Sequence, residues 1–142
     1  MNPTKEYGTG VLDGYETWPG WDPHEDNAGP MYFRTTAQGT RCAMLLEDKH
    51  CNTSKIAHGG LLVTFADFST FAISRPQIGG GGATVTMNAD FCAAARSGEL
   101  LESEGEVMRE TRSLLFFRGR LFVGETTVLN FSTVVKKPRK TD

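Results

Sequence analysis

The sequence predicts an α+β domain in which an antiparallel sheet packs around one long helix. Three observations lead to this prediction: an apolar segment without Gly or Pro early in the chain's middle third, two strand-like runs before it, and four strand candidates after it. Strands clustered on either side of a single helix are typical of an antiparallel sheet. With 142 residues, the chain is long enough for one domain with a buried core.

The central helix is predicted from Gly60 to Ser74, about four turns, and Pro76 closes the segment. Its apolar side chains point in nearly every direction around the helix, which is typical of a buried helix. They are Leu61, Leu62, Val63, Phe65, Ala66, Phe68, Phe71, Ala72 and Ile73. The sheet covers only one side of such a helix, so we expect another element to cover the rest.

The strands are predicted from apolar runs bounded by turn residues. Residues 31–37 and 41–47 read as a hairpin around "QGT", and residues 77–82 ("QIGGGG") read as a flexible connector. The four later strand candidates are 83–94, 99–110, 113–123 and 124–136. In the first of these four, apolar and polar residues alternate with the period of a strand.

The chain divides into a lead-in, residues 1–30, and a main domain, residues 31–142. The lead-in is rich in Gly, Pro and acidic residues, has no clean periodicity, and carries both tryptophans, Trp18 and Trp21. Large aromatic side chains need an apolar surface to lie on. Because long ordered loops often have a function, we expect this segment to cover a pocket.

The composition predicts no nucleic-acid or membrane partner. The net charge is −2, the one basic run is the terminal "KKPRK", and no segment has the eighteen or so apolar residues of a membrane span. The first residues lack the apolar stretch of a secretory signal. We therefore expect the three cysteines to be reduced thiols and the protein to be cytoplasmic.

Asp67 stands inside the apolar helix, where the pattern favours a leucine. Burying an unpaired carboxylate costs several kcal/mol, so Asp67 needs either partners or a chemical role. Thr64, Asp67, Thr70 and Ser74 are expected to form a thin polar stripe along the helix. A purely structural hydrogen bond to a loop remains an alternative.

Gly59 and Gly60 stand where the helix begins. A helix N-terminus has unpaired N–H groups and a partial positive charge, which suit a carbonyl oxygen that becomes an oxyanion. The alternative is that the glycines only permit a tight turn. Asp67 lies roughly 12 Å along the axis from Gly59, too far for one helix to bring both to one atom. Two antiparallel helices related by a two-fold axis would bring them together, which predicts a homodimer.

Asn52, His58, Gly59, Gly60 and Asp67 together resemble the site residues of the hot-dog-fold acyl-CoA thioesterases. The resemblance is to the phenylacetate-degradation type and to thioesterase superfamily member 2, and it covers about residues 31–136. It implies a curved antiparallel sheet around the helix, in dimers or dimers of dimers, and fatty or aromatic acyl-CoA substrates without a cofactor. Many members have a glycine at the position of Lys55, which leaves the shape of this loop open.

The resemblance also implies roles for individual residues. The N–H of Gly59 polarises the thioester carbonyl, and Asn52 and His58 shape that end of the site. Asp67 of the partner subunit acts as general base or as nucleophile. The substrate-binding residues are Thr84, near the carboxylate, together with Gly60 and Thr64.

The sequence agrees less well with other classes of function. A non-catalytic binder of acyl-CoA or of another hydrophobic ligand is the main alternative, and it would not need Asp67. The acyl-thioester hydratases of the same fold use a different His and Asp/Glu pattern, which is absent here. His50, Cys51 and His58 fit no zinc spacing, so no metal is predicted. Cys51 is a weak candidate nucleophile because neighbouring side chains in a chain usually diverge.

Overall fold

The computed structural model describes residues 4–139. The strands are β1 (Glu6–Tyr7), β2 (Glu16–Thr17), β3 (Tyr32–Thr36), β4 (Gly39–Leu45), β5 (Ala83–Phe91), β6 (Leu100–Glu110), β7 (Leu114–Val123) and β8 (Thr126–Lys136). The helices are α1 (Pro23–Ala28), α2 (Gly59–Ile73) and α3 (Arg75–Ile78), with short 3-10 turns at Gly10–Leu12 and Asp48–His50. The predicted order of two strands, one long helix and four strands is confirmed.

All eight strands form one antiparallel sheet in the order β1-β2-β3-β4-β6-β7-β8-β5. The chain leaves the sheet after β4, forms α2, and returns as β5 at the far edge. Among residues 4–139, β5 pairs only with β8, so no described strand lies along its other edge. Val85 and Phe91 on β5 are 59% and 58% exposed, which is unusual for large apolar side chains.

The core lies between the sheet and one face of α2, which packs against β4, β6, β7 and β8. Leu62, Phe65 and Ala66 provide most of this face, and Phe65 and Ala66 have no exposed surface. The buried Thr70 hydroxyl donates to the Ala66 carbonyl at 3.0 Å, and it lies 3.1 Å from the Thr133 hydroxyl. The contact with Thr133 and the packing of Phe65 and Ala66 fix the rotation of α2 about its axis, so the opposite face of the helix turns away from the sheet.

The element boundaries differ slightly from the prediction. Helix α2 begins at Gly59, where the side chain of His58 caps it. The short helix α3 begins at Arg75, has Pro76 in its first turn, and extends into the connector expected at residues 77–82. Proline is tolerated in the first turn of a helix, where no backbone donor is lost. Strand β5 ends at Phe91 rather than at residue 94, and the next two amides, Cys92 and Ala93, both bond to the Val128 carbonyl.

The lead-in is attached to the edge of the sheet through β2 and β3. Helix α1 begins at Pro23, and the Asp22 side chain caps it by accepting from the Glu25 N–H at 3.0 Å. The division of the chain after residue 30 remains a prediction. Within residues 4–139 no helix has the combination of length and apolarity that crossing a membrane requires.

Candidate functional site

Asp67 and Thr84 meet between α2 and the start of β5. The Thr84 hydroxyl donates to Oδ1 of Asp67 at 2.6 Å, a short bond of the kind that a charged acceptor makes. The pairing joins two predicted site residues that are 17 positions apart in the chain. The bond engages Oδ1, and among the described residues the second carboxylate oxygen has no hydrogen-bond partner, so it is available to a ligand.

The Asp67 carboxyl lies in the wall of a cavity of about 690 Å³, a volume typical of small-molecule sites. The cavity separates α2 from the lead-in, and it also opens towards the glycine loop before β5. Its lining includes Trp18, Trp21, Glu25, Met31, Tyr32, Phe33, Asp67, Phe68, Phe71, Ala72, Arg75, the loop 79–82 and Thr84. The predicted pocket under the lead-in is therefore present, and it contains both Asp67 and Thr84.

Two expectations about α2 need correction. Asp67 is half-buried in the isolated chain rather than fully buried, because the cavity gives it access to solvent. The polar stripe is not uniform: Thr70 and Ser74 are buried and bond to helix carbonyls, whereas Asp67 faces the cavity. Of the phenylalanines of α2, Phe65 belongs to the core, whereas Phe68 and Phe71 line the cavity.

Among the described residues, the first turn of α2 leaves the Gly59 and Leu61 amides without a hydrogen bond. His58 Nδ1 accepts from the Gly60 N–H at 2.9 Å, so His58 caps the helix and occupies the Gly60 donor. Within the described part of the chain, no acceptor lies at hydrogen-bond distance from the Gly59 N–H. The ring of Phe91 lies against Gly59, where an added Cβ would be 3.3 Å from its Cε1. The Gly59 amide is thus available to a ligand oxygen beside an apolar ring.

Asn52 shapes the loop that leads to this helix end. Its Oδ1 accepts from the Ser54 N–H at 2.9 Å and from the Ile56 N–H at 3.4 Å. Lys55 between them has φ 62°, a left-handed conformation that favours glycine. Glycine would adopt this conformation without strain, and in this chain a lysine adopts it.

Thr64 connects α2 to the lead-in instead of lining the cavity. Its hydroxyl donates to the Gly60 carbonyl at 3.1 Å and lies 3.1 Å from His24 Nε2. Because the hydroxyl has one hydrogen, His24 Nε2 is the donor in the second contact. This contact holds α1 beside α2, one helical turn before Asp67.

Glu25 on α1 is a site residue that sequence reasoning did not find. It shares the cavity with Asp67, and its side-chain carboxyl accepts no hydrogen bond and forms no ion pair among the described residues. Its burial, followed by the charges of Asp22, Asp67 and Asp26, raises its pKa from 4.5 to about 7. The run "DPHED" indicates a helix start at Asp22, but it does not indicate where that helix packs.

The cysteines and the remaining histidine offer no alternative centre. The ring of His50 is occupied by the Glu47 N–H and the Gly29 carbonyl, and the Cys51 thiol points to the Glu47 carbonyl, so the two do not pair. Burial raises the pKa of the Cys42 thiol to about 12, which removes its nucleophilic form at neutral pH. Among residues 4–139, no three His, Cys, Asp or Glu side chains are grouped to hold a metal ion.

A second concavity, about 740 Å³, lies away from these residues on the outer face of the sheet. Its arginines are paired with glutamates of β6: Arg41 and Arg120 with Glu104, and Arg118 with Glu106. These pairs are largely exposed, so each adds little stability. The groove contains none of the predicted site residues.

Comparison with known proteins identifies the family. The sequence profile of the thioesterase superfamily matches residues 54–129, which include the start of α2, Asp67 and Thr84. The chain belongs to the thioesterase superfamily. PA0474 of Pseudomonas aeruginosa, a candidate esterase by its name, is 36% identical over 136 residues, 90% of this chain and 98% of its own length. The prediction of a thioester hydrolase is thereby confirmed at the level of the superfamily.

Other members of the superfamily are more distant in sequence. Human acyl-coenzyme A thioesterase 13 is 33% identical over 76 residues, 53% of this chain and 54% of its own. The PaaI protein of the Escherichia coli phenylacetic acid degradation operon superposes with a TM-score of 0.75 at 17% identity, over 85% of this chain and 88% of its own. A hypothetical thioesterase of Streptococcus pneumoniae, solved with coenzyme A, superposes with a TM-score of 0.72 at 17% identity. The superposition covers 82% of this chain and 92% of the Streptococcus chain. The predicted hot-dog fold is confirmed.

The raised pKa of Glu25 predicts that replacing this carboxyl stabilises the fold, and that the stabilisation depends on pH. A carboxyl whose folded pKa exceeds its unfolded value stabilises the fold at low pH, and this contribution is lost as pH rises through about 7. Glu25→Gln should therefore raise Tm at pH 8 more than at pH 5. We expect on the order of 1 kcal/mol at pH 8, after discounting for partial exposure.

Thermal melts of the wild type, Glu25→Gln and Glu125→Gln at the two pH values provide the measurement. Glu125 is an exposed glutamate in the β7–β8 turn and controls for the loss of one charge. Equal changes in Tm for the two variants at both pH values would show that the cavity does not perturb Glu25.

Proposed function

We propose that this protein hydrolyses acyl-CoA thioesters to the free acid and CoA, with Asp67 as general base or nucleophile. The observation that carries the proposal is the Asp67 carboxylate, held by the Thr84 hydroxyl at 2.6 Å on the wall of a cavity that aromatic and acidic side chains line together. A carboxylate in such a position can accept a proton from water or attack a carbonyl carbon. The acyl-CoA substrate class is supported by the named activity of the thioesterase 13 relatives and by coenzyme A in the Streptococcus structure.

The oxyanion donor proposed is the Gly59 N–H of the partner subunit. Asp67 and Gly59 of one chain are eight residues apart on α2, roughly 12 Å along the helix axis. Two copies of α2 packed antiparallel about a two-fold axis would place each Asp67 opposite a Gly59 amide. The free edge of β5, with Val85 and Phe91 exposed, supports such a dimer because it offers unpaired backbone groups beside the site.

The reaction follows from these positions. The thioester carbonyl oxygen accepts from the Gly59 N–H, whose location at a helix N-terminus favours the developing negative charge. In the general-base route, Asp67 takes a proton from water while the water oxygen bonds to the carbonyl carbon. The C–S bond then breaks, and the proton passes to the departing sulfur. In the nucleophilic route, an Asp67 oxygen bonds to the carbonyl carbon, the C–S bond breaks, and CoA leaves as the thiolate. Water then hydrolyses the resulting anhydride to the free acid and the Asp67 carboxylate, and the proton released passes to the thiolate.

Asp67→Asn tests the carboxylate. The amide keeps the size of the side chain and can still accept from Thr84, but it is neither a base nor a nucleophile at neutral pH. We expect thiol release from acyl-CoA substrates to fall at least about 10²–10⁴-fold while the Tm stays near that of the wild type. Free-thiol assays and thermal melts provide the two readouts. Undiminished turnover in the folded variant would exclude Asp67 from the chemistry.

Gly59→Pro removes one N–H, and Gly59→Ala keeps it. His58 has φ −61° and ψ 135°, a conformation that a residue before proline readily adopts, and proline is favoured at the first helical position. Both variants place a Cβ against Phe91, so they differ mainly in the donor. The expected loss of kcat for Gly59→Pro relative to Gly59→Ala is about 10²–10³-fold. Equal kcat values for the two variants would assign the oxyanion contact to another group.

A further inference from the structure

We propose that the acyl group of the substrate occupies the cavity beside Asp67 and that Trp18 of the lead-in limits its length. The inference rests on the proposed function, since it takes the thioester carbonyl to lie at Asp67. It assigns the lead-in a role in specificity, and it names uncharged, largely apolar acyl groups as the substrate class.

One wall of the cavity is formed by α2 and runs from Asp67 towards α3. Phe68, Phe71 and Ala72 line this wall and are only partly buried by the core. Arg75 at the start of α3 is eight residues from Asp67, roughly 12 Å at the rise of a helix. A chain attached to a carbonyl at Asp67 therefore has an apolar path towards Arg75.

Trp18 stands at the end of this path. Its ring centroid is 4.6 Å from the Arg75 guanidinium, and its Nε1–H donates to Glu16 at 3.1 Å. Phe33 and Trp21 contact it edge-on, with centroids 5.6 and 6.2 Å away. A ring held from several sides is a fixed wall, because moving it breaks a cation–π contact and a hydrogen bond together.

The charges in the lining favour uncharged acyl groups. Glu6, Asp22, Glu25 and Asp26 line the cavity together with Asp67, and Arg75 is the single basic residue among the lining residues described. That guanidinium already lies on Trp18. A second carboxylate on the acyl group would be surrounded mainly by like charges, whereas an aliphatic or aromatic end contacts the rings.

Two substitutions should move the length preference in opposite directions. Trp18→Ala opens the end of the cavity, and Ala72→Leu fills its side. We expect the ratio of kcat/KM for myristoyl-CoA to that for octanoyl-CoA to rise about tenfold in Trp18→Ala and to fall in Ala72→Leu. Tyr7→Ala, which truncates a 72% exposed aromatic of the same segment outside the cavity lining, should leave the ratio unchanged. Trp18→Phe and thermal melts control for folding.

A binding measurement separates this inference from the proposed reaction. Trp21→Phe leaves Trp18 as the only tryptophan. Its fluorescence should change on titration with non-hydrolysable thioether analogues of octanoyl-CoA and longer acyl-CoAs, and stay constant with free CoA or the acetyl analogue. If the fluorescence changes in this way but no acyl-CoA releases thiol, the inferred acyl pocket stands and the proposed hydrolysis is wrong. Fluorescence that is constant for every chain length, or length ratios within twofold of wild type in both cavity variants, would overturn the inference.

Discussion

The packing of α2 against the concave side of the sheet is the constraint on which the site depends. Phe65, Ala66 and Thr70 fix one face of the helix in the core, so Asp67 lies outside the core, between the edge strand β5 and the cavity. The same orientation exposes the helix N-terminus with its unpaired Gly59 amide. The Asp67 carboxylate and the Gly59 amide, which we propose to serve one reaction, thereby lie on the same rigid helix but about two turns apart.

The lead-in partly covers the apolar face of α2 that the sheet leaves exposed. The face of α2 beyond the sheet carries Phe68 and Phe71, which a monomeric sheet leaves uncovered. Helix α1, held to Thr64 by His24, and Trp18, held to α3 by Arg75, partly cover this face and leave a cavity in place of a filled core. This arrangement destabilises the ionised form of Glu25, because its carboxyl is partly buried and has no partner among the described residues.

Much of the fold follows from local sequence. The Gly-Gly start and Pro76 define α2 to within one residue, and turn residues separate the strands. Thr84 was placed beside Asp67 only through family resemblance, since no local pattern relates two residues that are 17 positions apart. The roles of Trp18 and Glu25 were not predictable, because they depend on how an aperiodic segment docks onto α2 and α3. The apolar helix pattern likewise did not distinguish Phe65, in the core, from Phe68, in the cavity.

The central claim is that each site combines Asp67 of one subunit with Gly59 of the partner subunit. The most direct measurement uses a heterodimer of one Asp67→Asn chain and one Gly59→Pro chain, purified through two different tags. A shared site predicts one intact and one doubly substituted site per heterodimer, and hence about half the thiol-release activity of the wild-type dimer, although both parent homodimers are inactive. A heterodimer as inactive as its parents would contradict the claim and place both groups of each site in a single chain.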